Sequence, residues 1–374
     1  MPASTETDLR HMKAALSLAA RGLGRTWPNP AVGCVLVRDG AVIGRGWTQP
    51  GGRPHAETEA LARARSLSGG AEGATAYVTL EPCNHYGKTP PCALALVEAK
   101  VARVVVACQD PDPRVAGGGF ARLRGAGIEV VTGLCEAEAL ALNEGFFNRI
   151  TLNRPLVTLK VASTLDGRIA TVTGESQWIT GPTARAWGHR LRASHDAILV
   201  GIGTALADDP ELTCRLPGLE DRSPVRVVVD SSLRLPPTAK LATGARRIPT
   251  WIVTGPSPDS ARAEPLTALG VEVIPVAATP DGRVDPAAAM AALAAHGVTR
   301  LLVEGGAAMT GALLGAGLVD RLEWFRAASL IGGDGLPAVA GFGVEALTAM
   351  ARFERTAVCG AGADMAESYR RIAS

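Results

Sequence analysis

The sequence lacks three features that would narrow its function at once: a charge imbalance, abundant aromatics and a long apolar run. A formal net charge of +2 over 374 residues leaves no basic footprint for nucleic acid, and an aromatic content of 4% supplies few platforms on which bases could stack. No stretch approaches the roughly eighteen consecutive apolar residues of a membrane span. The opening segment, "MPASTETDLRHMKAALSLAARG", is polar and then amphipathic and has no hydrophobic signal core, so the expectation is a cytoplasmic protein that meets neither membrane nor nucleic acid. The seven cysteines are odd in number and scattered, which argues against a disulfide framework and suits free thiols or metal ligands. The dinucleotide fingerprint GxGxxG is also missing: "GIGTAL" follows "AILV" as required but lacks the final glycine, and "VEGGAAMTGALL" offers only a glycine pair at a helix start.

What is present in quantity is apolar surface, 47% of residues, in a chain longer than one core usually serves, which predicts two domains. Met12, Ala15, Leu16 and Ala19 recur at helical spacing, and "AVGCVLV" and "AVIGRGW" bracket the turn Asp39-Gly40, so a helix is followed by a hairpin. Strands such as "AYVTL", "RVVVAC" and "IEVVTG" then alternate with helices, which predicts a largely parallel sheet covered by helices. The pattern breaks at Asn153-Arg154-Pro155 and resumes with "LVTLKVA", placing domains over 1–150 and 155–374. In the second half, strands near "LVTLKVA", "AILVG", "PVRVVVD", "TWIVTG", "VEVIPV", "RLLVEGG" and "RLEWFRA" alternate with helices near 183–194, 260–269, 285–296 and 307–316. This predicts a second α/β sheet.

The chemistry is concentrated in "PHAE" and "LEPCNHYGKTPPC". A catalytic zinc needs three nitrogen or sulfur ligands and one open position, which His55, Cys83 and Cys92 can provide. Such a metal lowers the pKa of its water to about 7, and a proton carrier must stand beside it. Glu57 lies two residues beyond His55, about 200° around a helix, so the two share a helix end and not a side face. If Pro54 opens that helix toward the metal, His55 becomes a ligand and Glu57 a non-ligand acid/base. The zinc nucleobase deaminases carry HxE followed by PCxxC, and here eight residues separate the cysteines where two are usual. The enlarged loop carries His85 and Lys88, suited to a phosphate or another polar substrate group. A closed structural zinc would need a fourth protein ligand, for which His85 is the candidate.

Together "PNPAVGCVLV", "PHAE", "TLEPCNHYGKTPPC", "QDPDPRVAGGG", "STLDGRIA", "GESQWITG", "LADDPELTCR", "VVVDSS" and "VEGG" resemble, in order and over nearly the whole chain, the bifunctional riboflavin-biosynthesis deaminase/reductases. The resemblance implies an α/β protein, with an N-terminal cytidine-deaminase-like three-layer α/β/α domain and a C-terminal dihydrofolate-reductase-like α/β domain. It implies one Zn2+ and NADPH as cofactors and a phosphorylated pyrimidine as small-molecule substrate, and the expected assembly is a homo-oligomer. The first half would hydrolyse the amine of a diaminopyrimidinone ribosyl phosphate to leave a uracil ring, with Asn29, His85 and Lys88 holding the substrate. The second would reduce the ribosylamino group to ribitylamino. By matching positions, Ala162, Trp178, Thr204, Asp208, Ser231 and the stretch from Gly306 would line the NADPH site, with Asp208 assisting proton movement. Ser176, Arg192, Leu212, Arg215 and Glu304 would face the substrate, the two arginines as bidentate forks for its phosphate. Thr48 stands where the family leads one to expect His. Lys160 could neutralise phosphate or be a structural ion-pair partner.

Overall fold

The computed structural model describes residues 5–87, 90–113 and 115–372, and divides the chain into two compact units, Met1–Asn153 and Arg154–Ser374. Within the described part of the first unit lie α1 (Glu6–Ala19), β1 (Gly33–Arg38), β2 (Ala41–Trp47), α2 (Ala56–Ser68), β3 (Thr75–Val78), α3 (Cys92–Glu98), β4 (Arg103–Val106), α4 (Gly118–Gly125), β5 (Glu129–Thr132) and α5 (Glu136–Thr151). The strands form one sheet in the order β2-β1-β3-β4-β5. The sheet is mixed, not largely parallel: β1 pairs antiparallel with both β2 and β3, and only β3-β4 and β4-β5 are parallel. A tight hairpin joins β1 to β2, and a two-residue turn can connect only antiparallel neighbours.

Two glycines in "AVIGRGW" decide how close α2 comes to this sheet. A Cβ on Gly44 would lie 2.4 Å from the Ala60 carbonyl oxygen, and one on Gly46 would lie 2.1 Å from that of Ala56. Only glycine lets the first turns of α2 rest on the backbone of β2. On the opposite face Gly33 does the same for α1, a Cβ there falling 1.9 Å from the Ala15 carbonyl oxygen. The apolar stripe Met12, Ala15 and Ala19 and the strand residues Cys34, Leu36, Val78 and Val104 are buried in the core between. Burial of such side chains contributes about 25 cal/mol per Å² of apolar area removed from water.

The second unit contains β6 (Leu156–Ser163), β7 (Arg168–Ala170), α6 (Pro182–Ala193), β8 (Ala197–Gly201), α7 (Ile202–Asp208), β9 (Val225–Val229), α8 (Lys240–Thr243), β10 (Thr250–Thr254), α9 (Ser260–Ala268) and β11 (Glu272–Pro275). It continues with α10 (Pro286–Ala295), β12 (Arg300–Val303), α11 (Ala307–Gly315), β13 (Arg321–Arg326), β14 (Leu336–Pro337), β15 (Phe353–Ala361) and β16 (Asp364–Arg371). The large sheet has the order β11-β10-β9-β8-β12-β6-β13-β16-β15, with β7 and β14 a separate pair. From β11 to β13 it is parallel, which explains the near-continuous apolar runs such as "AILV" and "RLLV", covered on both faces. The last two strands add antiparallel and were not among the expected ones: β15 is exposed along most of its length, so no apolar alternation marks it.

Candidate active sites

Two connections of the first unit, from β2 to α2 and from β3 to α3, bring the candidate metal ligands together. His55 is the N-cap of α2, whose helix starts two residues later than one opened by Pro54 would. Cys83 stands in the segment after β3, and Cys92 is the first residue of α3, next to Pro91. His55 Nδ1 lies 3.3 Å from Cys92 Sγ and 3.7 Å from Cys83 Sγ, and the Cys92 backbone N–H donates to Cys83 Sγ at 3.3 Å. All three candidate ligand atoms lie within 4.8 Å of one another, a spacing one tetrahedral ion can bridge with bonds of about 2.0–2.3 Å. His85 is outside this group, so among the described residues no fourth ligand closes the set. The donor chemistry, one imidazole and two sulfurs, fits zinc with a vacant position.

Hydrogen bonding to Cys92 draws the Cys83 thiol down to about 4 even against burial, while Cys92 is pushed up by sharing that proton with Cys83 and by its own burial. Of the two, Cys83 is thus the one that favours the thiolate form. Glu57, in the first turn of α2, is 3% exposed, and burial, with the charge of Cys83 adding to it, pushes its carboxyl up to about 7. It is not a member of the ligand group. A cavity of about 230 Å3 opens here, and its wall includes Asn29, Thr48, His55, Glu57, Cys83 and His85. Asn29 is fixed by its side-chain N–H to the Gly52 carbonyl at 2.9 Å. Thr48 is buried and bonded through Oγ1 to the Val32 N–H. Lys88 lies outside the described residues. Phe146, Arg149 and Ile150 of α5 close the same cavity, a contribution not legible beforehand because nothing in a helical stretch after the last strand marks a ligand wall.

The second unit holds a larger cavity of about 1000 Å3 along the carboxyl ends of its parallel strands, where open α/β sheets bind ligands. Ala162, Ser176, Thr204, Asp208, Ser231, Glu304 and Gly306 line it. Gly306 is the N-cap of α11, so backbone N–H groups of that helix start face the cavity side as an anion would require. Partial burial pushes the Asp208 carboxyl up. Four expected site residues are placed elsewhere. Trp178 is 67% exposed outside the lining, with the Arg185 guanidinium 4.6 Å above its ring. Leu212 is buried with a positive φ of 54°, and Arg215 is an exposed residue near Glu211. Arg192 spends its fork internally: Nε and Nη2 donate to the two Glu304 oxygens at 2.8 and 2.9 Å, and Nη1 donates to the Thr213 carbonyl at 2.9 Å. The expected phosphate fork is therefore already occupied by a carboxylate. Lys160 also approaches Glu304, at 3.9 Å, and lines the cavity. Burial would raise the Glu304 carboxyl, but Arg192 and Lys160 outweigh it and hold the group at about 2, a fixed anion on the cavity wall.

Two family models divide the chain as the cavities do. Residues 5–108 match the cytidine and deoxycytidylate deaminase zinc-binding region, and residues 155–365 match the RibD C-terminal domain. The chain belongs to the RibD family of riboflavin-biosynthesis deaminase/reductases. It is 42% identical to the riboflavin biosynthesis protein RibD of Bacillus amyloliquefaciens, covering 95% of this chain and 94% of that one. It is similar in structure to Acinetobacter baumannii RibD, with a TM-score of 0.87, 39% identity and coverage of 98% and 99%. It is likewise similar to a diaminohydroxyphosphoribosylaminopyrimidine deaminase/5-amino-6-(5-phosphoribosylamino)uracil reductase of Thermotoga maritima, with a TM-score of 0.85, 34% identity and coverage of 98% and 99%. The family carries a zinc-binding deaminase region and an NADPH-using reductase domain, and no described helix here is long and apolar enough to cross a membrane.

Proposed function

We propose that the first unit deaminates 2,5-diamino-6-(5-phosphoribosylamino)pyrimidin-4-one and that the second reduces the resulting 5-amino-6-(5-phosphoribosylamino)uracil to its ribityl form. The observation that carries the first step is the convergence of His55, Cys83 and Cys92 beside a buried carboxylate outside the ligand set. Zinc held by these three residues supplies Lewis acidity that ionises water near neutral pH. Glu57 moves the protons: it accepts one from the attacking water and gives it to the ring nitrogen, then takes the second from the added hydroxyl as the carbonyl forms and delivers it to the departing amine. A carboxyl held near neutrality can both take and give a proton at working pH. Asn29 and His85 orient the ring and its ribosyl phosphate from the cavity wall, and Lys88 is assigned to the same phosphate.

NADPH held in the larger cavity would supply the hydride that reduces the C1 carbon of the opened sugar. Ala162, Thr204, Ser231 and the α11 start at Gly306 form its bed, Ser176 and Glu304 face the substrate, and Asp208 assists the proton that accompanies the hydride. Arg192 acts by fixing Glu304. Seven free cysteines suit a reducing cytoplasm, and the exposed edge strand β15, with Val358 and the neighbouring Met365 turned to solvent, suits pairing between copies in a homo-oligomer. The decisive experiment replaces Glu57 with alanine. Ammonia release from the diaminopyrimidinone phosphate is expected to vanish while about one zinc per chain is retained. Loss of the metal with the side chain would make Glu57 a ligand and overturn its assignment.

A further inference from the structure

Beside Glu57 on the wall of the smaller cavity stands a second buried carboxylate, Glu81, 3% exposed. It lies two residues before Cys83, and backbone N–H groups donate to both of its oxygens. Its Oε1 accepts from the Gly119 N–H at 2.9 Å and the Phe120 N–H at 3.4 Å, and its Oε2 from the Gly117 N–H at 3.0 Å and the Asp110 N–H at 3.3 Å. Three of these donors are the N-cap residue and the first turn of α4, a helix whose own N-cap, Gly117, has no side chain to offer. Glu81 is therefore a cap supplied from far upstream in the chain, satisfying N–H groups that a helix start leaves unpaired and placing a negative charge at its positive end.

The neighbours of Glu81 fasten the same turn. A Cβ on Gly119 would lie 2.1 Å from the Pro82 carbonyl oxygen, so the helix start rests directly on Pro82. Asn84 accepts from Arg122 Nε on the next turn. Residues on both sides of Cys83 are thus tied to α4 and to the loop before it, and that loop supplies Asp110, Asp112 and Val115 to the cavity wall.

We propose that Glu81 is a positioning residue of the deamination site. By clamping Asp110, Gly117 and the first turn of α4 to the segment that carries Cys83, it sets the distance between the metal ligands and the wall against which the substrate rests. This rests on the deamination reading above. A carboxylate is required because all four partners are donors. A glutamine in either orientation would push its NH2 group at two N–H groups and release half of the clamp.

The test is steady-state deamination by the full chain carrying Glu81→Gln, with zinc content and NADPH oxidation of the separately supplied deaminated intermediate measured in parallel. KM for the diaminopyrimidinone phosphate should rise about tenfold or more, with kcat changed by less than about threefold and zinc near the wild-type level. NADPH oxidation should be unchanged. An unaltered KM accompanied only by a lower melting temperature would reduce Glu81 to a structural residue and overturn the proposal. So would a collapse of kcat with the loss of one limb of its pH profile, which would make Glu81 a proton carrier, or loss of zinc. If Glu81→Gln does not fold, Arg122→Ala removes the exposed third fastening without touching the core. It should raise KM by about threefold at constant kcat, and no change there would also sink the idea. A wild-type chain that releases no ammonia would refute the deamination reading itself, a result distinct from either variant's.

Discussion

At the scale of single residues, His195 shows how burial turns a titratable group into a liability at low pH. Its Nδ1 lies 2.7 Å from the Leu191 carbonyl, which can only accept, so Nδ1 bears the proton and Nε2 accepts from the Thr158 hydroxyl at 3.0 Å. The imidazole is neutral, and burial, aided by the nearby Arg300, pushes its pKa down to about 3. The unfolded chain takes up a proton at this residue below about 6.5, whereas the folded chain does not until about 3. Between those limits the unfolded state binds more protons, so stability rises with pH and is lost as pH falls, at up to about 1.4 kcal/mol per unit. His195→Gln should be less stable than wild type at pH 8, and the gap should narrow on acidification toward pH 4 in urea unfolding of the second unit. A widening gap would mean a protonated imidazole in the fold. The residue scale is also where the sequence was least legible. His55, Glu57, Cys83 and Cys92 could be read because metal chemistry fixes their types and their junctions. The pairing of Arg192 with Glu304 could not: a guanidinium beside a glutamate more than a hundred residues away has the same local signature as one waiting for a phosphate.

At the scale of elements, α5 has a function that its amphipathic pattern conceals. The side chain of Asn143, 3% exposed, accepts from the Ala31 N–H and donates to the Ala31 carbonyl, each at 2.9 Å. It thereby holds the loop "PNPAV" that carries Asn29, while Phe146, Arg149 and Ile150, at later positions of the same helix, close the cavity. Asn143→Ala would leave two buried backbone groups without partners, at about 1–3 kcal/mol each, and would free the Asn29 loop. The expected result is a melting temperature lower by several degrees together with a raised KM for deamination, which follows from the role proposed for Asn29 on the cavity wall. A thermal shift with an unchanged KM would separate the loop from the substrate. The reading of elements succeeded where apolar spacing is strong, as in α1 and β12, and failed where burial does not constrain the pattern. The edge strand β15 is exposed along most of its length, and the sheet direction at β1 follows from a hairpin whose consequence for pairing was not carried through to β3.

At the scale of the whole molecule, the chain is two enzymes joined at Asn153 and Arg154, and each site draws its described residues from one unit alone. The break was visible because Asn-Arg-Pro cannot continue a helix and the next residues form a buried strand. The unit Arg154–Ser374 also begins with its own anchor: the Arg154 fork meets Asp320 through two bonds of 2.7 Å, and Asp320 accepts from the Val157 N–H at 2.9 Å. Since no residue of one cavity lies in the other, damage to either should stay local. Asp208→Asn preserves shape at the larger cavity and removes a carboxyl that partial burial has already shifted toward its protonated form. Ammonia release should continue at the wild-type rate, whereas NADPH oxidation with the deaminated intermediate should fall by about tenfold or more if Asp208 assists the proton transfer. NADPH affinity, read by fluorescence without turnover, distinguishes a binding defect from a slower chemical step. If both reactions failed together in a variant whose two units melt normally, the assignment of one reaction to each unit would be wrong.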